Sequence, residues 1–159
     1  MLPVNAKQVP SEIIGGKTLF ATPDGKFFNK KGKELKPTYT PNRPSRKSGG
    51  HANYMRMRQY CDKCCHVLIY ETFIGRRIPE MQIDHINGVP TDNSADNLQL
   101  VTPAENIKRA KILRALRKAG RNPQDMSREQ LLELFSKYEF LHTDPFERMD
   151  KELKRHQEC

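Results

Sequence analysis

Residues 83–110 read IDHINGVPTDNSADNLQLVTPAENIKRA, and this stretch predicts a strand, a loop, a second strand and a helix. The run 78–86 favours the first strand, which ends at the pair Asp84-His85. Asn87-Gly88 predicts the start of the loop. The apolar run 98–102 predicts the second strand, with Leu98 and either Leu100 or Val101 facing inward. The four elements together therefore predict a ββα unit.

Strong capping signals define the helix of this unit. Thr102-Pro103-Ala104-Glu105 matches a capping box with proline at the first helical position. Gly120 predicts the end of the helix near Ala119. Arg117 and Lys118 fall in the last turn, where the helix dipole favours cations. We therefore expect a helix over residues 103–119.

The ends of these elements carry the candidate chemistry. If the helix packs across the strands, the side-chain oxygens of Asp84 and Asn106 can converge, and such hard ligands suit Mg²⁺ or Mn²⁺. Strand alternation puts His85 on the opposite side from Asp84, and a bend at 86–88 would bring its imidazole alongside the metal. Histidine titrates near neutrality and can take a proton from water. A metal beside a general base suits phosphodiester hydrolysis.

The asparagines of the loop have a different predicted role. An amide side chain can hold loop backbone through both its ends. We interpret Asn97, at the end of the loop, as the residue that tethers the loop and so keeps the imidazole of His85 in a fixed orientation. Asn87 and Asn93 are interpreted as turn residues in preference to metal ligands.

The segment DHINGVPTDNSADNLQLVTPAEN (84–106) resembles the HNH nuclease signature, in the phage and intron homing branch where asparagine replaces the final histidine. Asn97 lies 12 residues after His85, and Asn106 lies 9 residues after Asn97. The resemblance covers about residues 54–110. It implies a ββα-metal fold in which His85 is the general base, Asp84 and Asn106 hold one divalent metal, and Asn97 orients the base.

The charge distribution predicts a polyanionic partner. The net charge is +9, and residues 1–60 carry 12 Lys and Arg against 3 Asp and Glu, whereas residues 125–159 carry 6 against 9. A surplus of lysine that only maintains solubility is the alternative interpretation. The residues that we predict to contact DNA phosphates are Arg76, Arg77, Lys108, Arg109, Lys111 and Arg114.

The segments around the ββα unit complete an α+β fold. Asp24-Gly25 and Lys31-Gly32 are hairpin signals that predict a small N-terminal β-ribbon. Residues 38–51 are predicted to form a mobile linker or a charged loop, 53–60 a strand with one basic face, and 65–75 a helix. Further capping boxes predict C-terminal helices that begin at Ser127 and Asp144. We expect three parts, 1–50, 51–120 and 121–159.

The cysteines favour reduced thiols or a metal over disulfide bridges. Cys61 and Cys64 have knuckle spacing, but structural zinc needs four ligands, which leaves Cys65, His66 and Cys159 as candidates. Structural zinc is therefore the less favoured interpretation. His66 is interpreted as a core histidine. The N-terminus lacks the pattern of a signal peptide and no run is long enough to span a bilayer, so we expect a cytoplasmic protein of a bacterial or phage-infected cell.

The sequence therefore predicts a metal-dependent HNH endonuclease that cleaves duplex DNA, as a nicking monomer or as a homodimer through the C-terminal helices. One alternative is a non-catalytic DNA-binding protein that uses the ββα shape as a scaffold. The other is a zinc-knuckle interaction protein built on Cys61 and Cys64.

Overall fold

The computed structural model describes residues 1–39, 43–44, 51–52 and 54–139, with only the backbone at 43–44, 51–52 and 139. The chain divides into two compact units. The first contains Met1–Ile78 and Pro90–Gln99, and the second contains Pro79–Val89 and the residues from Leu100 onward. This division cuts through residues 51–120, so the predicted three-part organisation stays a prediction.

The N-terminal part of the first unit is a four-stranded antiparallel sheet. Its strands are β1 (Lys7–Gln8), β2 (Phe20–Ala21), β3 (Phe27–Phe28) and β4 (Glu34–Leu35), in that order. The predicted β-ribbon is confirmed, and β1 extends it by one strand.

Residues 38–56 contain short paired strands. β5 (Thr38–Tyr39) pairs with β8 (Met55–Arg56), and β6 (Arg43–Pro44) pairs with β7 (His51–Ala52), both antiparallel. The linker or loop predicted for 38–51 therefore contains strand residues, while 40–42 and 45–50 lie outside the described residues.

The strand predicted over 53–60 was too long, because only β8 is a strand there. The chain turns after Arg56, and the carbonyl oxygen of Met57 accepts hydrogen bonds from the backbone N–H groups of Tyr60, Cys61 and Asp62. Asn53 lies outside the described residues.

The helix predicted over 65–75 is confirmed as α1 (Cys65–Phe73). Leu68 and Ile69 are fully buried, as are Leu19 and Phe27 of the same unit. The helix ends where the backbone N–H groups of Ile74 and Gly75 both donate to the carbonyl oxygen of Tyr70, at 2.9 and 3.0 Å.

The loop between the two predicted HNH strands packs against the N-terminal sheet. The backbone N–H of Ala95, which begins the 3-10 helix Ala95–Asn97, donates to the carbonyl oxygen of Pro23 at 2.7 Å. At Gly25, which has a φ of 85°, a Cβ would lie 3.1 Å from the backbone of Asn93. The turn between β2 and β3 therefore fits closely against this loop.

The ββα elements follow in the predicted order. β9 (Gln82–His85) pairs with β10 (Leu98–Val101), and α2 (Pro103–Lys118) follows directly. Both halves of the Thr102–Glu105 capping box are formed. Gly120 has a φ of 73°, which fits its predicted role at the end of the helix.

The core of the second unit joins α2 to α3 (Arg128–Glu139). The Ser127 cap is formed, since the Ser127 hydroxyl accepts from the backbone N–H of Gln130 at 3.2 Å. The buried members of this core are Ile86, Ile112, Leu113, Leu116, Leu131, Phe135 and Tyr138. The helix predicted from Asp144 lies outside the described residues. Within the described ranges, no helix is long and apolar enough to cross a membrane.

Candidate active site

Two side-chain pairs connect β9 to α2. Gln82 and Asp84 are two residues apart, so they share one face of the strand. Asn106 and Arg109 are three residues apart, so they share one face of the helix. The Asn106 Nδ2 group donates to Gln82 Oε1 at 2.7 Å, and Arg109 Nη1 lies 3.9 Å from Asp84 Oδ2. Each of these two contacts joins one residue of β9 to one residue of α2, and we call each such pair a rung. Asp84 and Asn106 therefore belong to neighbouring rungs of one strand–helix interface.

Arg109 occupies an apolar and acidic environment. Only 11% of its side chain is accessible, and only 13% of that of Asp84. The guanidinium carbon lies 5.1 Å from the centroid of the Phe135 ring on α3. Cation–π attraction and the nearby carboxylate both stabilise the charge in this position. The burial of Arg109 does not suit the phosphate contact predicted for it.

The donor atoms of Asp84 and Asn106 fit an open site for a hard cation. Carboxylate and amide oxygens are the ligands that Mg²⁺ and Mn²⁺ prefer, and Mg²⁺ commonly keeps several waters. Within the part of the chain that the structure describes, no hydrogen bond reaches Asn106 Oδ1. The same residues contain no group of three or more His, Cys, Asp or Glu that could hold a metal. The arrangement suits a site completed by water and substrate oxygens.

His85 is the last residue of β9 and is 6% exposed. Strand alternation puts it on the opposite face from Asp84. The backbone N–H of Gly88 donates to the carbonyl oxygen of His85 at 2.8 Å, which closes the turn directly after it. Asn87 Oδ1 accepts from the N–H of Val89 at 2.9 Å, so Asn87 is a turn residue, as predicted.

Asn93 and Asn97 hold the backbone of the loop in the first unit, and both are buried. Asn97 Nδ2 donates to the carbonyl oxygen of Asp92 at 2.9 Å, and Asn93 Nδ2 donates to that of Thr91 at 3.2 Å. Asn93 therefore acts as the predicted turn residue. Asn97 fixes the segment that leads into β10, and its orienting role toward the base stays a prediction.

The other predicted phosphate contacts are exposed. On α2, at about 100° per residue, Lys108, Lys111, Arg114 and Lys118 share one outward face, which we call the cationic stripe. Asn106 and Arg109 lie on the opposite face. Ile107, which is 61% exposed, lies within the cationic stripe. Arg76 and Arg77 are exposed between α1 and β9.

The cysteine cluster does not form a four-ligand zinc site within the described ranges. Cys61, Cys64 and Cys65 form no disulfide bridge, and Arg56 Nη1 donates to Cys64 Sγ at 3.6 Å. Burial raises the pKa of Cys65 to about 12, which keeps it protonated. His66 is buried with its ring centroid 4.8 Å from that of Tyr54, as expected of a core histidine. Cys159 lies outside the described residues.

Comparison with known families identifies the segment that contains these residues. Residues 63–108 match the family described as HNH endonuclease. This segment is therefore similar to HNH endonuclease domains. The match includes Asp84, His85, Asn97 and Asn106, and it confirms the predicted resemblance to HNH endonucleases, while the homing branch stays a prediction. HNH nucleases generally use a divalent metal, and their domain implies a nucleic-acid substrate. No curated protein and no solved structure is significantly similar to the chain.

The matched segment contains one residue of the site that the sequence analysis did not predict. Gln82, the residue bonded to Asn106, was not predicted as part of the site. The alternation of β9 could have identified it, because Gln82 precedes Asp84 by two residues and shares its face. Arg109 and Phe135 lie beyond the matched segment, so the family pattern carries no signal for their contact.

Proposed function

We propose that this protein is a metal-dependent endonuclease of the phage or intron homing type that hydrolyses phosphodiester bonds of duplex DNA. The observation that carries the proposal is the packing of α2 across β9 within the HNH domain, with Asp84 and Asn106 on neighbouring rungs. The proposed location is the cytoplasm of a bacterial or phage-infected cell.

In the proposed reaction, His85 removes a proton from a water molecule, whose oxygen attacks the phosphorus in line with the departing 3′-oxygen. Asp84 and Asn106 would hold one Mg²⁺ or Mn²⁺. When bound, this ion stabilises the charge that develops on the phosphate and on the leaving oxygen. Asn97 is the positioning residue that orients His85. The products, a 5′-phosphate and a 3′-hydroxyl, are those that the family resemblance implies.

The proposed phosphate contacts are Arg76 and Arg77 together with the exposed lysines and arginine of the cationic stripe. Contacts of this kind position a protein on DNA without reading its sequence. Because the stripe and the Asp84–Asn106 face lie on opposite sides of α2, the stripe would contact phosphates other than the one that is cleaved. One site per chain would nick DNA, and a homodimer through the C-terminal helices would cut both strands.

The position of Arg109 favours a second candidate function. A guanidinium 3.9 Å from Asp84 Oδ2 opposes a metal ion on the same carboxylate by like-charge repulsion. A protein that retained the ββα shape only as a DNA-binding scaffold would tolerate this arrangement. Such a protein would bind DNA in a salt-sensitive manner without cleaving it.

A plasmid relaxation assay tests these candidates. Purified wild-type protein is incubated with supercoiled DNA in Mg²⁺, Mn²⁺ or EDTA, beside His85→Ala and Asp84→Asn. The matched control is Asp125→Asn, which removes an exposed carboxylate outside the site. We expect metal-dependent open-circle or linear DNA from the wild type and the control, and loss of at least about 100-fold in rate for the two site variants.

Retained DNA binding without cleavage in either metal would favour the scaffold candidate. A plasmid library with random inserts, assayed in Mn²⁺, excludes the lack of a target sequence as the cause. Cleavage that persists in His85→Ala would assign the base elsewhere.

A further inference from the structure

We infer that Gln82 is a positioning residue that fixes the amide of Asn106 in the orientation that presents its oxygen to the metal. This inference rests on the proposed function of the Asp84–Asn106 site. Gln82 lies outside the predicted ligand set, and its side chain contributes no ligand atom in our proposal.

The chemistry of the amide group gives the first argument. A planar amide carries a donor nitrogen and an acceptor oxygen on the same carbon, and rotation by a half turn exchanges them. Only the oxygen can bind a cation. Asn106 therefore serves as a ligand in one of its two orientations, and a neighbouring group has to select that orientation.

The hydrogen bond at Gln82 supplies this selection. Gln82 Oε1 accepts from Asn106 Nδ2 at 2.7 Å, across 24 residues of sequence. Because the nitrogen is directed at Gln82, the Asn106 oxygen is directed away from it. Among the described residues no hydrogen bond reaches that oxygen, so it is available to a ligand.

The backbone geometry of the interface gives the second argument. Gln82 and Asp84 share one face of β9, and Asn106 lies about one turn before Arg109 on the facing side of α2. The Gln82–Asn106 rung therefore runs beside the Asp84–Arg109 rung. A residue at position 82 controls the ligand on the helix while Asp84 supplies the ligand on the strand.

The inference is tested by Mn²⁺ binding, measured by electron paramagnetic resonance on the whole chain without DNA. Gln82→Met keeps the length of the side chain and removes the acceptor. Since a lost outer-shell hydrogen bond typically weakens metal binding by about 10–100-fold, we expect the Mn²⁺ dissociation constant to rise about tenfold. Gln124→Met, the same change at an exposed glutamine, is the matched control and should bind Mn²⁺ like the wild type.

Two further variants separate positioning from a general structural role. Gln82→Glu retains the acceptor, and we expect it to bind Mn²⁺ at least as tightly as the wild type. In an Asn106→Ala background, Gln82→Met should have no further effect on the dissociation constant, because the ligand that it orients is gone. In cleavage assays Gln82→Met should need more Mn²⁺ for half-maximal rate and approach the wild-type rate at saturation.

The outcomes distinguish this inference from the proposed function. Asp84-dependent Mn²⁺ binding that is unchanged in Gln82→Met would overturn the positioning role and leave the metal site standing. An equal weakening by Gln82→Met with and without Asn106 would also overturn it. Wild-type protein that binds no Mn²⁺ through Asp84 would overturn the metal site itself, and the positioning role with it.

Discussion

Arg109 shows at the level of one residue how burial changes the role of a cation. Its neighbours in sequence, Lys108 and Lys111, are exposed, whereas Arg109 lies between Asp84 and the ring of Phe135. Asp84 in turn is mostly shielded from water. A carboxylate in this position depends on a nearby positive charge, so Arg109 contributes to the stability of the interface that forms the site.

Replacing Arg109 by methionine should therefore destabilise the protein. We expect a loss of about 1–3 kcal/mol in the free energy of unfolding, because the buried Asp84 carboxyl group loses this cation. Urea unfolding at pH 7 measures this loss.

A double-mutant cycle identifies the source of the loss. If the carboxylate–guanidinium pair is responsible, Arg109→Met should cost less in the Asp84→Asn background. Additive losses, within about 0.5 kcal/mol, would show that the packing on Phe135 accounts for the effect.

Gly88 is a second residue with a specific structural requirement. Its φ is 66°, and a Cβ there would lie 2.7 Å from Leu113 Cδ1 and 2.9 Å from Arg117 Nη2. Arg117 Nη2 also donates to the carbonyl oxygen of Gly88 at 3.2 Å. The turn after His85 therefore requires a residue without a side chain.

We expect Gly88→Ala to lower the free energy of unfolding by about 1–2 kcal/mol, which is the cost of the left-handed conformation for a residue with a Cβ. The distal atoms of Leu113 and Arg117 would also have to shift. Gly75→Ala is the matched control, since a Cβ at Gly75 would have no atom within 4 Å and its φ is not left-handed. Chemical denaturation of both variants measures the difference, and equal unfolding midpoints would contradict this account.

At the level of the element, α2 carries different functions on its two sides. The buried side packs on β9 and α3 and contains Asn106 and Arg109, while the outward side is the cationic stripe. The Thr102–Glu105 cap fixes where the helix begins, and therefore fixes Asn106 in its first turn. The pKa of Glu105 is lowered, first by the backbone N–H of Thr102 and then by the Thr102 hydroxyl.

This lowered pKa gives a pH dependence with a defined sign. Since the folded-state pKa of Glu105 lies below its ordinary value of 4.5, the charged carboxylate stabilises the protein above that pH. The contribution disappears as the pH falls through the folded-state pKa. We expect Glu105→Gln to cost about 0.3–1 kcal/mol at pH 7, from the helix-dipole interaction of a surface charge.

Thermal unfolding of Glu105→Gln from pH 7 to pH 3 measures the effect. The difference from the wild type should shrink below pH 4.5 as Glu105 becomes protonated. Glu80→Gln, at an exposed glutamate outside the helices, should show no comparable trend. A difference that grows toward acid would contradict the role of the charged cap.

At the level of the whole molecule, the net charge is +9, and the surroundings of the basic side chains differ from one region to another. In the N-terminal region, Lys26 and Lys36 are paired with Asp24 and Glu34. The four residues of the cationic stripe are exposed on one face of α2. We therefore expect the stripe to dominate phosphate contact.

Salt dependence of DNA binding tests this expectation. The slope of log K against log salt is negative, and each lost phosphate contact reduces its magnitude by about 0.9, so Lys111→Gln/Arg114→Gln should reduce the magnitude by about 1.8. Lys26→Gln/Lys36→Gln removes the same net charge, and its slope should stay close to that of the wild type. Equal changes in the two double variants would show that net charge alone governs binding.

Much of the fold followed from local signals. The hairpin turns at Gly25 and Gly32, the two capping boxes and the stop at Gly120 depend on backbone chemistry within a few residues, so they were predictable. The prediction of a strand over 53–60 was too long because residue alternation does not show that the chain turns after Arg56, where the Met57 carbonyl oxygen accepts three backbone hydrogen bonds. Strand β5 was missed because its partner, β8, comes from a more distant part of the sequence.

The sequence by itself determined the order of the ββα elements, the caps of α2 and the HNH pattern, since each depends on residue types at short spacing. Only the tertiary structure decided that Arg109 faces Asp84 and not solvent, that Gln82 holds Asn106, and that the loop before β10 packs on the N-terminal sheet. These contacts join residues that are far apart in the chain. Their pairing depends on how whole elements pack, which no local pattern encodes.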